Sequence, residues 1–138
     1  MTTTSQPVLD DVLQELTAAL AAMGRGVPGP YARMWPDAPD VTLFGAWGPI
    51  EQGHDAVTRT FDWVSGRFSD GALVPRHEVV GVSGDLAYTV GFEEGEVRVD
   101  GGPPALMRLR VTHVLRRVDG RWRIVHRHAD FPPPDQRG

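Results

Sequence analysis

The chain has 138 residues, 41% of them hydrophobic and 23% charged, and these values predict one globular domain over residues 1–138. A net charge of -4 at pH 7 gives no reason to expect nucleic acid or an anionic membrane as the main partner. Cysteine and lysine are both absent, which excludes disulfides, cysteine metal sites and lysine Schiff bases. The sequence shows no signal peptide and no apolar run near the roughly 20 residues of a membrane span, so a cytoplasmic protein is expected.

The first predicted element is an amphipathic helix over residues 8–23, where apolar side chains recur at helical spacing. Ser5 or Thr4 can cap its start, and the acidic first turn suits the positive end of the helix dipole. Gly24 and Gly26 are expected to end it.

A second amphipathic helix is predicted over residues 54–68, because Val57, Phe61, Val64 and Phe68 fall on one stripe. Between the two helices, the segment 27–39 contains four prolines, which leave room for only one short helical turn. That turn is expected around residues 31–35 and is followed by a strand over residues 40–47.

The second half of the chain alternates apolar and polar residues and is predicted to be an antiparallel meander. Its strands are expected at residues 73–82, 86–99, 105–118 and 121–130. Helices followed by a meander indicate an α+β fold, a cone-shaped curved sheet wrapped around the N-terminal helices. The core is expected over residues 8–131, with a proline-rich tail at 132–138.

The last hairpin, residues 109–130, gives the sharpest local prediction, because Asp119-Gly120 is typical of a type I′ turn. Val118 then faces Arg121, and an unbroken ladder puts one set of side chains on the inner face. This inner set is Leu109, Val111, His113, Leu115, Arg117, Trp122, Ile124, His126, His128 and Asp130. The opposite face collects Arg110, Thr112, Arg116, Arg121, Arg123, Val125 and Arg127.

A sheet that closes only partly over its helices leaves a pocket at its open end, and aromatic and soft side chains are expected to line it. The candidate ligand-binding residues are Tyr31, Trp35, Trp47, Phe61, Tyr88, Phe92 and Met107. They predict a small hydrophobic or aromatic ligand.

The chain resembles the SnoaL-like branch of the nuclear-transport-factor-2-like superfamily. The resemblance rests on the segments DVTLFGAWG, GHDAVTRTFDWVSGRF, SGDLAYTVG and RVTHVLRRVDGRWRIVHRHAD, of which the ending DGRWRIVHRH is the most specific. It implies a cone-shaped barrel that forms a homodimer through the outer face of its sheet. It implies function only loosely, because members include isomerases, polyketide cyclases, dehydratases, epoxide hydrolases and non-catalytic association domains.

Two departures from the steroid isomerases of this superfamily make that activity a poor match for the sequence. The position of their catalytic base falls at Gly45, and the first helix has no tyrosine for an oxyanion hole. Polyketide cyclases and dehydratases of the fold use His and Asp residues instead, and His126, His128 and Asp130 resemble that pattern.

His113, His126 and His128 leave three interpretations open. They are hydrogen-bonded side chains of the pocket wall, or acid–base catalysts that Asp130 orients, or the ligands of a zinc site. The resembled family normally lacks a metal there, so neither metal nor cofactor is expected. The preferred hypothesis is cyclisation, dehydration or isomerisation of a carbonyl or polyketide-like substrate by His113, His126, His128 and Asp130. A non-catalytic ligand-binding or association module is the alternative, and a metal-assisted hydratase or hydrolase is the third.

Overall fold

The computed structural model describes residues 8–133, so the predicted caps Thr4 and Ser5 lie outside the described residues. The elements in chain order are α1 (Leu9–Gly24), α2 (Gly29–Ala32), β1 (Thr42–Phe44), β2 (Ile50–Gln52), α3 (His54–Ser65), β3 (Phe68–Ser69), β4 (Val74–Ser83), β5 (Leu86–Val99), β6 (Ala105–Val118) and β7 (Arg121–Asp130). The α+β prediction is confirmed, and the four long strands lie within one residue of their predicted bounds.

Three elements differ from the prediction. The short helical turn expected around residues 31–35 lies earlier in the chain, at Gly29–Ala32. The expected strand over residues 40–47 is only three residues long, and the chain turns back after it to form β2. The expected helix over residues 54–68 ends at Ser65, because Phe68 leaves the helix and pairs with Val99 of β5.

The strands form one curled sheet in the order β2-β1-β7-β6-β5-β3, with β4 also paired to β5. The long strands pair antiparallel, whereas β1 runs parallel to β7. Gly91 and Gly95 on β5 permit the close approach of neighbouring backbone, since a Cβ at either position would overlap the carbonyl oxygen of Arg76 or Ala72.

The helices cover the inner face of the sheet and complete one hydrophobic core. Leu16 and Leu20 of α1 and Phe61 of α3 are buried in the same cluster as Leu115 and Ile124 of the sheet. Burial of such side chains is the main stabilising term of a domain of this size.

The segment that follows α2 is fastened to β7 through its backbone. The Arg123 Nη2 atom donates to the carbonyl oxygens of Arg33 and Trp35 at 2.8 and 2.9 Å. The Ile124 N–H donates to the Met34 carbonyl oxygen at 2.9 Å. These bonds satisfy carbonyls at the end of a helix too short to be stable alone.

The β6–β7 hairpin begins as predicted. Asp119 and Gly120 have φ angles of 51° and 77°, as a type I′ turn requires, and the predicted pairs hold from Val118–Arg121 to Leu115–Ile124. The register then shifts by one residue, because Val125 is inserted as a β-bulge.

The bulge exchanges the two faces of the rest of β7, and the predicted inner face is wrong beyond Ile124. His113 pairs with Arg127 rather than with His126. His126, His128 and Asp130 therefore lie on the outer face, while Arg127 points inward.

Candidate functional site

A cavity of about 70 Å³ lies between the helices and the inner face of the sheet, and most of its wall is apolar. Its lining residues are Leu20, Met23, Tyr31, Leu43, Gly45, Ala46, Trp47, Pro49, Thr60, Phe61, Val64, Phe68, Leu73, Glu93, Met107, Leu109, Arg127 and Phe131. An apolar concave site with a few polar groups is the usual form of a small-molecule site.

Four of the predicted ligand-binding residues line this cavity: Tyr31, Trp47, Phe61 and Met107. Trp35 is buried behind them, with its ring centroid 5.3 Å from that of Phe61. Gly45, where the base of a steroid isomerase would fall, lines the cavity without a side chain that could act.

The placement of Tyr88 and Phe92 in the pocket wall is wrong. Tyr88 is 46% exposed on the outer face, and Phe92 lies there between the guanidinium groups of Arg76 and Arg108. The inward positions of β5 are the intervening ones, which hold Ala87, Thr89, Gly91 and Glu93. Small side chains face inward because the helices need room against the sheet.

The polar part of the wall is centred on an ion pair between Glu93 and Arg127. Arg127 Nη1 donates to Glu93 Oε2 at 2.6 Å, and Arg127 Nη2 donates to Glu93 Oε1 at 2.8 Å. The two side chains are only 1% and 11% exposed. Such a buried, two-bonded pair satisfies both charges where water cannot.

The second polar contact joins Tyr31 to His113. The Tyr31 hydroxyl lies 2.6 Å from His113 Nε2, and Arg127 Nη1 lies 3.4 Å from the same nitrogen. Two donors that converge on Nε2 indicate that it accepts, and we infer that the ring proton is on Nδ1. His113 therefore supports Tyr31 from behind, and Tyr31 reaches the cavity.

Burial sets the protonation states of this cluster. Burial lowers the pKa of His113 well below its usual value, and the charge of Arg127 lowers it further, so the imidazole is neutral. Burial raises the pKa of Tyr31, so its hydroxyl keeps the proton at neutral pH. Burial opposes the charge of Arg127, but the neighbouring Glu93 outweighs it and the pKa of Arg127 rises above its usual value.

The other predicted catalytic residues lie outside the cavity. Thr42 Oγ1 is 2.7 Å from His126 Nδ1, and the ring of Phe44 contacts the rings of both His126 and His128. Asp130 does not orient a histidine; it accepts two hydrogen bonds from Arg110, at 2.6 and 2.9 Å, which lower the pKa of its carboxyl.

The three-histidine arrangement is not formed, because His113 lies on the opposite face of the sheet from His126 and His128. Within residues 8–133 there is also no group of three or more histidine or acidic side chains placed to hold a metal ion.

Sequence reasoning missed Glu93 and Arg127 as site residues. Arg127 had no usable signal, since the bulge that turns it inward leaves no mark in the alternation of β7. Glu93 had a weak sequence signal, because it shares one face of β5 with Ala87, Thr89 and Gly91. A single acid among small residues on one face of a strand indicates a buried charge.

The model of the SnoaL-like domain family matches residues 12–134. The chain belongs to the SnoaL-like domain family. A search of curated proteins finds no match to this SnoaL-like domain. Among the helices of residues 8–133, none has the length and apolar character needed to cross a membrane.

Solved structures with the same fold carry different functional names. A provisionally named dehydratase of the NTF2-like family from Streptomyces avermitilis is 22% identical, with a TM-score of 0.73 over 91% of this chain and 99% of the other. A provisionally named calcium/calmodulin-dependent protein kinase II association domain from Xanthomonas campestris is 19% identical, with a TM-score of 0.73 over 97% and 99%. A ketosteroid isomerase-like protein from Erwinia carotovora atroseptica is 22% identical, with a TM-score of 0.71 over 88% and 93%. At these identities the likeness shows the fold of the SnoaL-like domain alone.

Proposed function

We propose that this SnoaL-like domain is an enzyme that transfers a proton on a small substrate bearing a carbonyl or hydroxyl oxygen. The observation that carries the proposal is the placement of Tyr31, Glu93 and Arg127 together at the wall of an otherwise apolar cavity. A buried acid, a buried hydroxyl and a buried cation at one point are the groups that proton transfer next to a carbonyl requires.

Each group has a distinct role in the proposed step. Glu93 accepts the substrate proton, since each carboxylate oxygen retains a lone pair beyond the one that Arg127 uses. Tyr31 donates its single proton to His113, so its hydroxyl oxygen is the group that accepts a hydrogen bond from a substrate hydroxyl. Arg127 orients the carboxylate of Glu93, and His113 positions the hydroxyl of Tyr31. Isomerisation, dehydration and cyclisation of a carbonyl compound all contain such a step.

The decisive experiment begins with the ligand. Native mass spectrometry of the protein purified from its own host identifies what occupies the cavity, and turnover of that compound is then measured. Glu93→Gln is expected to lower kcat by about 10²–10⁴-fold, the usual contribution of a general base. Tyr31→Phe is expected to lower kcat through the lost hydrogen bond.

His128→Ala is the matched control, because His128 lies on the outer face of the sheet. It is expected to leave kcat unchanged. The proposal would be refuted if His128→Ala or His126→Ala abolished turnover while Glu93→Gln remained fully active. The catalytic residues would then be the histidines of the outer face.

A second function is favoured by the outer face of the sheet. Large apolar side chains of β1, β4 and β5 are exposed there, namely Phe44, Val79, Leu86, Tyr88 and Val90. An exposed apolar surface of this kind indicates a protein interface. We propose a homodimer through this face, and a purely non-catalytic association module would need the face but not the ion pair of Glu93 and Arg127.

A further inference from the structure

We propose that the cavity accepts only uncharged ligands, and that Glu93 is the residue that excludes anions. This inference rests on the proposed function in one respect: the ligand is taken to occupy the same cavity. It adds a selectivity that proton transfer alone does not require, because carboxylates and phosphate esters also undergo such reactions.

The charges at the cavity wall cancel. Of the described residues that line the cavity, Arg127 alone is cationic and Glu93 alone is anionic. Both terminal nitrogens of Arg127 already donate to the two oxygens of Glu93. An entering carboxylate therefore finds no counter-charge unless it displaces Glu93.

Displacing Glu93 is costly because of where its side chain lies. It is 1% exposed, and a carboxylate moved from Arg127 would remain buried without its counter-ion. Removing one partner of a buried ion pair carries a large penalty, and an unpaired buried charge is among the most expensive groups in a protein. If an anionic ligand pairs with Arg127, Glu93 is left buried without a counter-ion. If it does not, the ligand itself is the unpaired buried charge.

The remaining polar groups suit a neutral ligand that can donate a hydrogen bond. Tyr31 donates its single proton to His113 and reaches the cavity with its hydroxyl oxygen, which can accept from a neutral N–H or O–H group but offers an anion no donor. The hydroxyl of Thr60, the other hydroxyl of the lining, already donates to Glu51 Oε2 at 2.8 Å. The rest of the wall is apolar and offers no compensation for the lost hydration of an ion.

The test uses two small ligands of the same shape, acetamide and acetate, which suit a cavity of about 70 Å³ and are titrated at neutral pH and followed by protein NMR. The amide nitrogen of acetamide, which can donate to Tyr31, stands where a charged oxygen of acetate stands. The wild-type protein is expected to bind acetamide more tightly than acetate by at least about tenfold. Equal or tighter binding of acetate would overturn the inference without the need for any variant.

Glu93→Gln makes the test sharper, because it leaves the charge of Arg127 without a partner. Acetate affinity is expected to rise by about tenfold or more, while acetamide affinity changes little. In Glu93→Gln/Arg127→Met the wall is neutral again, and the gain for acetate is expected to disappear. Glu94→Gln is the matched control, since the neighbouring Glu94 faces outward and pairs with Arg76 and Arg108.

The outcomes separate this inference from the proposed function. Selective binding of acetamide with no turnover of any cavity ligand would support the inference and refute the enzyme. Turnover of an anionic substrate at the cavity would support the enzyme and refute the inference. If neither probe binds the wild-type protein, the cavity is not a site for small neutral ligands and the inference fails.

Discussion

Ile124 and Val125 are consecutive residues of β7, and the side chains of both are buried, with exposed fractions of 0% and 8%. Successive side chains of a regular strand point to opposite faces, so two buried neighbours mark the extra residue of the bulge. Through this insertion Arg127 reaches Glu93 inside the fold, and His126 and His128 come to lie outside it.

The first prediction concerns the stability that Arg127 provides. Arg127→Met is expected to lower the free energy of unfolding by about 3–5 kcal/mol, because it leaves Glu93 buried without a counter-charge. Glu93→Gln/Arg127→Met is expected to recover part of that loss. Urea denaturation measures both.

The control for this prediction is Arg110→Met, which removes a cation from an equally well-formed but exposed pair with Asp130. The decrease in unfolding free energy in Arg110→Met is expected to be near the error of the measurement, because solvent and salt screen exposed ion pairs. Equal losses in Arg127→Met and Arg110→Met would contradict a special role for the buried pair.

The second prediction concerns the hydroxyl of Tyr31. Tyr31→Phe is expected to cost about 1–3 kcal/mol of unfolding free energy, because His113 Nε2 loses its 2.6 Å donor in a buried site. Tyr88→Phe, the same change at the half-exposed tyrosine, is expected to stay within about 0.5 kcal/mol. A Tyr31→Phe protein as stable as the wild type would show that this hydrogen bond contributes nothing net.

The third prediction is a dependence of stability on pH. The pKa of His113 is lowered in the folded protein, so between that pKa and about 6.5 the unfolded chain binds the proton and the folded chain does not. This contribution to stability is present above about pH 6.5 and is lost as pH falls towards the folded pKa. The lowered pKa values of His77 and His126 act in the same direction.

The measurement is the free energy of unfolding from about pH 7.5 to about pH 5. His113→Gln is expected to flatten the slope, because it removes the most deeply buried of the histidines whose pKa is lowered. A slope that His113→Gln leaves untouched would mean that other groups account for the whole dependence.

The fourth prediction concerns assembly. Sedimentation at micromolar concentration is expected to give the mass of a dimer, with Val90→Arg reducing it to a monomer because a charge then enters the apolar outer face. Val27→Arg places the same charge at an exposed valine of the loop after α1 and is expected to leave the dimer intact. A monomeric wild-type protein would end the proposal of a dimer through this face.

Most of the fold follows from local signals in the sequence. The turn at Asp119-Gly120 requires two positive φ angles that few residue pairs adopt, and the alternation of β5 and β6 extends to their true ends. The bulge at Val125 has no such signal. It is stabilised by packing of that side chain in the core, a contact made only when distant elements have assembled.

The site was predictable only in part, for two physical reasons. Four of the cavity residues are apolar or aromatic, and residues of these types are expected in the interior of a fold. They are Tyr31, Trp47, Phe61 and Met107. Glu93 and Arg127 are expected outside by the same rule. Their burial is stable only as a pair, and neither residue alone indicates a partner 34 positions away.

The hydrogen bonds from Arg123 and Ile124 to the segment after α2 also bear on how a ligand enters and leaves. They join β7, which carries Arg127, to the chain just beyond Tyr31, so these two walls cannot separate without breaking backbone contacts. A cavity held in this way is ready before its ligand arrives, and little free energy is spent on closing it. Differences in affinity among related ligands should then arise in the dissociation rate, while their association rates stay similar.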